Sequence, residues 1–476
     1  MLEQDVSNSG KSIINTLALL FFLPFFIYAT YQATKLMSRA AGVNSKIIVN
    51  AEALNGSIDP TVMHAFAQGG EESKDMLQPI LQDIQALKPK LVRIDHIFDA
   101  YDVVSRTNGQ LSFDFSKLDQ YVNTITTTGA KPVFALSYMP QVLSQDGTVI
   151  GIPNDWNEWS LLVQKTIEHY SGKSQKNLNG IYYEVWNEPD HPQFGGWKMG
   201  GQKNYIDLYR YSQIGAERAL GCNPFFLGGP STTGLYKNWI LGLIKENLRI
   251  DFFSWHTYSD NTMTFSDDNR NLASWTKQYP IYLITPRLIT EFGFNGGKDE
   301  RYGLAYAAAF TASVFRQLSD APADFAFSFQ LKDGPGDTDG KGWGIITHES
   351  MGLKKKPRYF IYQFLDKMQG QRLALTGEGT WVTALASKTE KTIRVLLINF
   401  DPSGYHNENT PLTITDLKPG TYGWNIQYLF TNLYKNGTCV SANSTSSDVA
   451  VSDNGTWTNS VCLSAQNSAI IELTAK

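Results

Sequence analysis

The stretch Ile181-Tyr-Tyr-Glu-Val-Trp-Asn-Glu-Pro189 joins a run of aromatic and β-branched residues to a polar end. Such a run favours a buried strand, and Pro189 cannot donate to a further ladder of hydrogen bonds. The stretch therefore predicts a core strand that presents the carboxyl group of Glu188 at its tip. A second run, from Ile281 to Gly293, has the same form and carries Glu291 near its end.

Two acidic side chains at the ends of two core strands are the minimum equipment for cleaving a glycosidic bond. One carboxyl must deliver a proton to the leaving oxygen, while the other must be ionised to stabilise positive charge at the anomeric carbon. Unequal surroundings and mutual repulsion can separate the two pKa values. We assign Glu188 as the acid/base, because the neighbouring Asn187 can hold a substrate hydroxyl, and Glu291 as the nucleophile.

Predicted strands and helices alternate along the chain after the first forty residues. The predicted strands are 46–50, 90–98, 132–136, 181–188, 225–229, 251–258, 281–291 and 325–330. Helical spacing of apolar residues marks helices at 77–87, 115–125, 156–170, 204–220, 238–247, 304–318 and 357–367. Eight strands, most of them followed by a helix, predict an α/β protein with a (β/α)8 TIM barrel. Chemistry in that fold belongs at the carboxyl ends of the strands, where both glutamates fall.

Helical periodicity stops at about Gln371. Strand patterns follow at 391–400, 411–415, 422–430 and 469–473, and they predict a small C-terminal β-sandwich. The segment 436–459 is rich in Ser, Thr, Asn and Gly and is predicted to be a loop. We therefore divide the chain into an N-terminal segment (1–40), a catalytic barrel (41–370) and a β-sandwich domain (371–476).

Ser12 to Thr34 contains no charged side chain and is rich in Leu, Phe and Ile. As a helix it would extend about 34 Å, enough to cross a bilayer, so it predicts a transmembrane helix. A buried core helix would show a polar face, and a cleaved signal peptide is the closer alternative. Lys35, Arg39 and Lys46 follow the segment and favour a cytoplasmic body, whereas the catalytic interpretation favours an extracytoplasmic or secreted one.

The chain of 476 residues has a formal net charge of −4, and charged residues make up 18% of it. No basic surface of the kind that binds nucleic acid is predicted. Of the three cysteines, Cys439 and Cys462 lie close together in the sequence and could form a disulfide, as an extracytoplasmic protein would allow. No metal-ligand spacing is present, and the chemistry requires no cofactor.

Asn-Glu-Pro alone is a weak motif, but its context is specific. The segment around Glu188 resembles the acid/base strand of clan A glycoside hydrolases, in which Asn-Glu closes the fourth barrel strand and the nucleophilic Glu closes the seventh. Our strand count places Glu188 on the fourth and Glu291 on the seventh. From about Ile80 onward the chain resembles glycoside hydrolase family 39, the β-xylosidase and α-L-iduronidase group. The matching segments are, in order, Val92-Arg93, Ile97-Phe98-Asp99, Lys131-Pro132, Leu136-Ser137-Tyr138-Met139-Pro140, Glu184-Val185-Trp186-Asn187-Glu188-Pro189, Gly228-Gly229-Pro230, His256-Thr257-Tyr258 and Thr290-Glu291-Phe292.

The resemblance implies further site residues. It implies that His256 and Tyr258 orient Glu291 and line the sugar pocket, although an ordinary core histidine and a packing tyrosine would look the same in sequence. Arg93 is expected either to contact the sugar or to buttress the carboxylates.

Two positions depart from the family pattern. Asp95 occupies the place of a usual histidine, with His96 displaced by one, and Gln330 occupies the place of a usual tryptophan. We expect both to contact the sugar, so the substrate is expected to differ from xylosides.

We interpret the chain as a membrane-anchored or exported retaining glycoside hydrolase that cleaves a poly- or oligosaccharide by double displacement. The main alternative is a non-catalytic carbohydrate-binding protein on a degenerate glycosidase barrel. A third alternative is a structural envelope protein that uses the C-terminal sandwich for adhesion. The sugar, endo or exo action, and the oligomeric state stay open.

Overall fold

The computed structural model describes residues 42–430 and 444–476. The strands are β1 Ile47–Ile58, β2 Ala65–Gln68, β3 Leu91–Ile94, β4 Val104–Thr107, β5 Gln110–Phe113, β6 Lys131–Ala135, β7 Ile181–Glu184, β8 Phe225–Thr232, β9 Phe252–Tyr258, β10 Arg287–Gly293, β11 Phe325–Phe329, β12 Gly370–Thr376, β13 Val382–Lys388, β14 Thr392–Asn399, β15 Glu408–Thr415, β16 Gly420–Tyr428, β17 Ser444–Val451, β18 Trp457–Leu463 and β19 Asn467–Ala475. The α-helices are Leu81–Ala86, Ser116–Thr127, Trp156–Ser171, Tyr205–Arg218, Lys237–Lys245, Met263–Thr276, Ala305–Leu318 and Pro357–Leu365.

Eight parallel strands close into a barrel in the order β2, β3, β6, β7, β8, β9, β10 and β11, and β11 pairs back onto β2. Each strand is followed by a helix, so the predicted (β/α)8 barrel is confirmed. Small, branched and aromatic side chains fill the barrel interior, where eight strands leave room for a packed core. These buried residues are Ala65, Ala67, Leu91, Val133, Phe252, Leu288 and Phe327.

The prediction that Lys46–Asn50 forms the first barrel strand is wrong. β1 instead lies between β12 and β15 in a second, nine-stranded sheet, antiparallel to β12 and parallel to β15. The first barrel strand is β2, whose four residues are too few to show a periodicity. A short apolar run fits either sheet, because sequence pattern does not specify which distant strand it pairs with.

The nine-stranded sheet has the order β17, β16, β19, β14, β13, β12, β1, β15 and β18. It bends over on itself, since Trp424 of β16 and Trp457 of β18 lie near its opposite ends yet their ring centroids are 5.8 Å apart. A C-terminal sheet domain is therefore confirmed. Its two facing layers belong to one continuous sheet, and β1 adds a strand from the part of the chain predicted to belong to the barrel.

Three further predictions differ from the structure. The segment predicted as a loop at 436–459 contains β17, an edge strand in which Ser446 and Ser447 are exposed and which has little apolar pattern. The run from Ile281 begins with a 3-10 turn at Pro280–Tyr282, and its strand starts only at Arg287. Met263–Thr276 is a helix that was not predicted, because its many polar residues leave too few apolar positions to show a helical spacing.

The predicted transmembrane helix, Ser12 to Thr34, lies outside the described residues. Across 42–430 and 444–476, no helix combines the length and the apolar character needed to cross a membrane. Cys439 also lies outside the described residues, so its pairing with Cys462 stays a prediction. Cys222 is a free thiol.

Candidate active site

A cavity of about 680 Å³ opens at the carboxyl ends of the barrel strands. Glu188 and Glu291 both line it, together with Asn187, Asp95 and Tyr258. Aromatic side chains also line the cavity: Phe329 from the end of β11, and Phe194 and Trp343 from loops. The two predicted catalytic acids therefore face the same hollow, although 103 positions separate them in the chain.

Glu188 reaches the cavity through a turn that follows β7. The strand ends at Glu184, and the next residues include Trp186 and Glu188, both with positive φ angles (73° and 43°). The amide of Glu188 donates to the carbonyl oxygen of Ser231 at 3.0 Å, which ties the turn to the end of β8. The backbone thus leaves the barrel wall and carries the carboxyl of Glu188 over the mouth.

Glu291 lies within β10, next to β9, where it pairs with His256. Its Oε1 accepts from Nη1 of Arg93 at 2.8 Å, and its Oε2 accepts from the hydroxyl of Tyr258 at 2.8 Å. Both donors favour the ionised carboxylate. The two bonds hold Glu291 in the position that a nucleophile requires.

His256 connects the two glutamates. Its Nδ1 is 2.8 Å from Oε1 of Glu188 and 3.5 Å from Oε2 of Glu291. One carboxylate oxygen from each glutamate and one ring nitrogen of His256 lie within 4.8 Å of one another. The structure therefore brings together the two acids and the histidine, and a single sugar ring spans such a separation.

Arg93 organises the buried side of this group. Its Nε donates to Glu184 at 2.6 Å and its Nη2 to Asn187 at 2.7 Å, in addition to the bond with Glu291. The side chain is almost completely buried and does not line the cavity. Of the two roles considered for Arg93, the structure places it as a buttress.

The electrostatics follow from burial and from these charges. Burial raises the pKa of Glu291, the charges of His256 and Arg93 oppose that rise, and Glu188 adds to it. Burial alone would lower the pKa of His256, but the charge of Glu291 and the bond to Glu188 outweigh it and the pKa is raised. For the fully buried Glu184, burial works to raise the pKa, yet Arg93 holds it below its usual range.

Sequence reasoning missed two members of this network. Glu184 is the buried acid that pairs with Arg93. Ser231 follows β8's proline, and its hydroxyl lies 3.3 Å from Nη2 of Arg93 and 3.2 Å from Nε2 of His256. The apolar pattern of β7 was the signal that could have identified Glu184 as a buried acid. No comparable signal in the sequence marks Ser231.

The remaining predicted sugar contacts separate into two kinds. Asp95 lines the cavity and is only 7% exposed. Gln330 is completely buried behind the wall, where its Oε1 accepts from Nε2 of Gln68 and from the amide of Gly69. Gln330 therefore does not line the cavity, and the expectation that it contacts the sugar directly differs from its position. Trp343 lines the cavity instead.

Two groups of described residues have ligand atoms close enough to hold a cation. The first is Glu188, His256 and Glu291, and the second is Glu72, His348 and Glu349. In the second group the ammonium of Lys332 lies 2.6 Å from Glu349, so a protein cation already supplies the positive charge. In the group of Glu188, His256 and Glu291, the guanidinium of Arg93 supplies a positive charge to Glu291.

The sequence and the fold were compared with known proteins. The model of the family described as Glycosyl hydrolases family 39 matches residues 63–278. A β-xylosidase of Caldicellulosiruptor saccharolyticus is 27% identical over 344 residues, which cover 65% of this chain and 66% of the relative. An α-L-iduronidase of Homo sapiens is 24% identical over 225 residues, 41% of this chain and 32% of that protein.

Solved structures share the architecture over nearly the whole chain. A GH39 enzyme from Xanthomonas axonopodis pv. citri superposes with a TM-score of 0.70 at 17% identity, covering 91% of this chain and 98% of that one. A monomeric β-xylosidase from Caulobacter crescentus CB15 gives a TM-score of 0.69 at 17% identity, with 90% and 99% covered. At such identities the likeness establishes the fold.

Proposed function

We infer that the chain belongs to glycosyl hydrolase family 39, a family of glycosidases that act on O-glycosyl compounds. On that premise we propose that it hydrolyses a glycosidic bond with retention of configuration. The observation that supports retention is the approach of the two acids. Carboxylate oxygens of Glu188 and Glu291 lie within 4.8 Å of one another. Inverting enzymes keep their carboxyl groups about 6.5–9.5 Å apart to admit a water, whereas retaining enzymes need about 5–5.5 Å.

The reaction proceeds in two displacements. Glu291 attacks the anomeric carbon and forms a covalent glycosyl ester, while Glu188 transfers its proton to the leaving oxygen as the C–O bond breaks. In the second step Glu188 takes a proton from a water molecule, whose oxygen attacks the anomeric carbon and releases Glu291 as a carboxylate. Atoms balance over the cycle: one water is consumed, and both acids return to their starting states.

The neighbouring side chains keep each acid in its role. Arg93 and Tyr258 donate to Glu291 and so favour the anion that attacks. His256 contacts Glu188 through Nδ1, and the hydroxyl of Ser231 at Nε2 can donate or accept. The ring can therefore donate to Glu188 when that group is ionised and accept from it when it is protonated.

The test is covalent trapping. The full chain is incubated with activated 2-deoxy-2-fluoro glycosides of several sugars, and the labelled peptide is identified by mass spectrometry. We expect the label on Glu291, and retained anomeric configuration in the first product seen by NMR from a cleaved aryl glycoside. An inverted product, or a label that stays after Glu291→Gln, contradicts the mechanism.

The non-catalytic alternative makes the opposite prediction for the same material. A carbohydrate-binding protein on a degenerate barrel would bind members of an aryl glycoside panel without releasing the aryl alcohol. The third alternative predicts that a deletion of the nine-stranded sheet's C-terminal strands abolishes partner binding while Glu291→Gln leaves it intact.

The location of the protein is a separate part of the proposal. We propose that Ser12 to Thr34 anchors the protein in a membrane or directs its export, which would place the barrel where extracellular polysaccharides occur. The apolar, uncharged sequence of that segment supports this. Sequencing of the mature N-terminus and protease accessibility in intact cells test it.

A further inference from the structure

A second group of charged side chains faces the catalytic cavity from the β2 and β3 side of the barrel mouth. We call it the recognition wall, and it consists of Glu71, Asp95 and His96. Glu71 follows β2 and the other two follow β3, whereas the catalytic acids come from β7 and β10. The reaction described above does not use these groups, so their presence in the cavity requires another explanation.

Asp95 is the most unusual member of the recognition wall. Its side chain is 93% buried, and its Oδ1 has no hydrogen-bond partner among the described residues. Burial raises the pKa of Asp95, against the opposing charges of His96 and Arg93. Arg93 cannot satisfy it, because the guanidinium already donates to four other side chains. A buried carboxyl without a donor is costly, and a ligand that brings a donor removes that cost.

Glu71 stands beside Asp95 in the lining of the cavity. Its side chain is exposed there, and the neutral amide of Gln68 donates to its Oε2 at 3.3 Å. Limited hydration raises the pKa of Glu71, and the negative charge of Asp95 adds to this effect. The two carboxyls therefore repel each other, and the positive charges near Asp95 are those of His96 and Arg93, which also bind other carboxylates.

The cations of the cavity are already engaged elsewhere. Nδ1 of His96 is 2.8 Å from Asp99, and the charges of Asp95, Asp99 and Glu71 all raise the pKa of this ring, to about 9. A single imidazolium thus serves three carboxyls. Lys298 also lines the cavity, but its ammonium is paired with the buried Asp337.

We propose that Asp95 and Glu71 bind the positively charged amino group of an unacetylated amino sugar held in the catalytic cavity. An ammonium group brings three N–H donors and a positive charge that, unlike the charges of His96 and Arg93, is not already engaged by another carboxylate. A neutral sugar offers hydroxyl donors but no charge, and a uronic acid would place a further carboxylate against the two already there. The expected order of binding is amino sugar, then neutral sugar, then uronate.

This inference rests on the proposed function only in that the sugar occupies the same cavity, and its test measures binding and not turnover. Isothermal titration at low ionic strength compares three β-1,4-linked tetrasaccharides: fully deacetylated chitosan tetraose, its N-acetylated form and cellotetraose. The protein is the full chain carrying Glu291→Gln, which cannot complete the reaction. We expect the deacetylated tetraose to bind about tenfold more tightly than the other two.

Two variants of the same protein locate the effect. Adding Asp95→Asn should reduce the preference for the amine about tenfold, and adding Glu71→Gln should reduce it by a smaller factor, since Glu71 is the more hydrated group. Glu72→Gln is the matched control, because this neighbouring acid pairs with Lys74 and does not line the cavity but changes the net charge equally. It should leave the preference unchanged.

Equal affinity for the three tetrasaccharides, no binding of any of them, or a preference that survives Asp95→Asn would overturn the inference. An equal loss in Glu72→Gln would do the same, because it would mean that overall charge and not the recognition wall attracts the amine. Failure of the glycosidase proposal has a different signature, since trapping on Glu291 would then fail while the amine is still bound selectively.

Discussion

The two sides of the catalytic cavity differ in the donors that the protein supplies to the acids lining it: both oxygens of Glu291 accept a hydrogen bond, whereas one oxygen of Asp95 does not. On the reaction side, Arg93 alone donates to Glu184, Glu291 and Asn187, and each bond is between 2.6 and 2.8 Å long. On the recognition wall, Oδ1 of Asp95 has no partner among the described residues. The difference indicates that the groups performing the chemistry are positioned in advance, whereas the groups selecting the sugar are completed by the sugar.

The largest expected effect comes from removing the nucleophile on the reaction side. Glu291→Gln should lower kcat/KM on a cleaved aryl glycoside by about 10⁴-fold or more, because no other group forms the glycosyl ester. Steady-state kinetics measure it, with circular dichroism to verify folding. Glu217→Gln, an exposed acid on the helix Tyr205–Arg218, is the control and should leave kcat/KM unchanged.

The second test breaks the hydrogen-bond network of the reaction side at its centre, Arg93. Arg93→Met leaves Glu184 buried without its counter-charge and should lower the free energy of unfolding by about 3–5 kcal/mol. Adding Glu184→Gln should recover part of the loss, because it removes the stranded charge. Thermal or urea unfolding measures both.

Arg270→Met provides the comparison for that test, since this exposed arginine forms a surface ion pair with Asp267 and also donates to Ser266. It should cost less than about 1 kcal/mol. If Glu184→Gln makes the Arg93→Met protein still less stable, the loss of stability in Arg93→Met does not come from the unpaired charge of Glu184.

The third test addresses Ser231, which lies between Arg93 and His256. Ser231→Ala should lower kcat about tenfold with little change in KM, since the hydroxyl positions Glu188 through His256 and does not line the cavity. Ser231→Cys should retain more activity. Ser160→Ala is the control, a buried serine of the helix Trp156–Ser171 whose Oγ has no partner among the described residues. A change confined to KM would argue that Ser231 contacts the sugar.

The smallest expected effect is that of the charge of Asp95, on the recognition wall, on the pKa of Glu291, on the reaction side. Burial and the charges of Glu188 and Asp95 raise the pKa of Glu291, so the nucleophile becomes protonated at a higher pH than an ordinary glutamic acid. Activity should therefore fall on the acid side as pH drops through that raised pKa. Asp95→Asn removes one raising charge and should move this acid limb of kcat/KM to lower pH, by roughly one pH unit or less. A limb that moves upward would mean that Asp95 does not act on Glu291 electrostatically.

Local sequence was a good guide to the acids and a poor guide to what surrounds them. Glu188 and Glu291 stand at the ends of runs whose apolar character marks buried strands, and this pattern predicts their side of the barrel. Ser231 and Glu71 carry no such mark, because a serine after a proline and a glutamate after two glycines occur in many loops. Their importance comes from atoms that other strands bring within hydrogen-bonding distance.

The same limit explains the errors in the fold. β1 has a strand pattern, but its hydrogen-bond partners are β12 and β15, more than 300 residues away in the chain. β17 lacks an apolar pattern because an edge strand with exposed side chains buries little. In both cases the pairing of distant backbones, and not the composition of the strand, determines the structure.

The sequence by itself determined the alternation of strands and helices, the strand ends that carry the two acids, and the resemblance to the family. These features depend on local periodicity and on short motifs. The tertiary structure alone decided that Arg93 serves as a buttress, that Gln330 lies behind the wall, and that Asp95 faces the cavity without a partner. Such roles depend on which groups from distant segments fill the hydrogen-bonding capacity of a buried side chain, and that is settled only when the barrel closes.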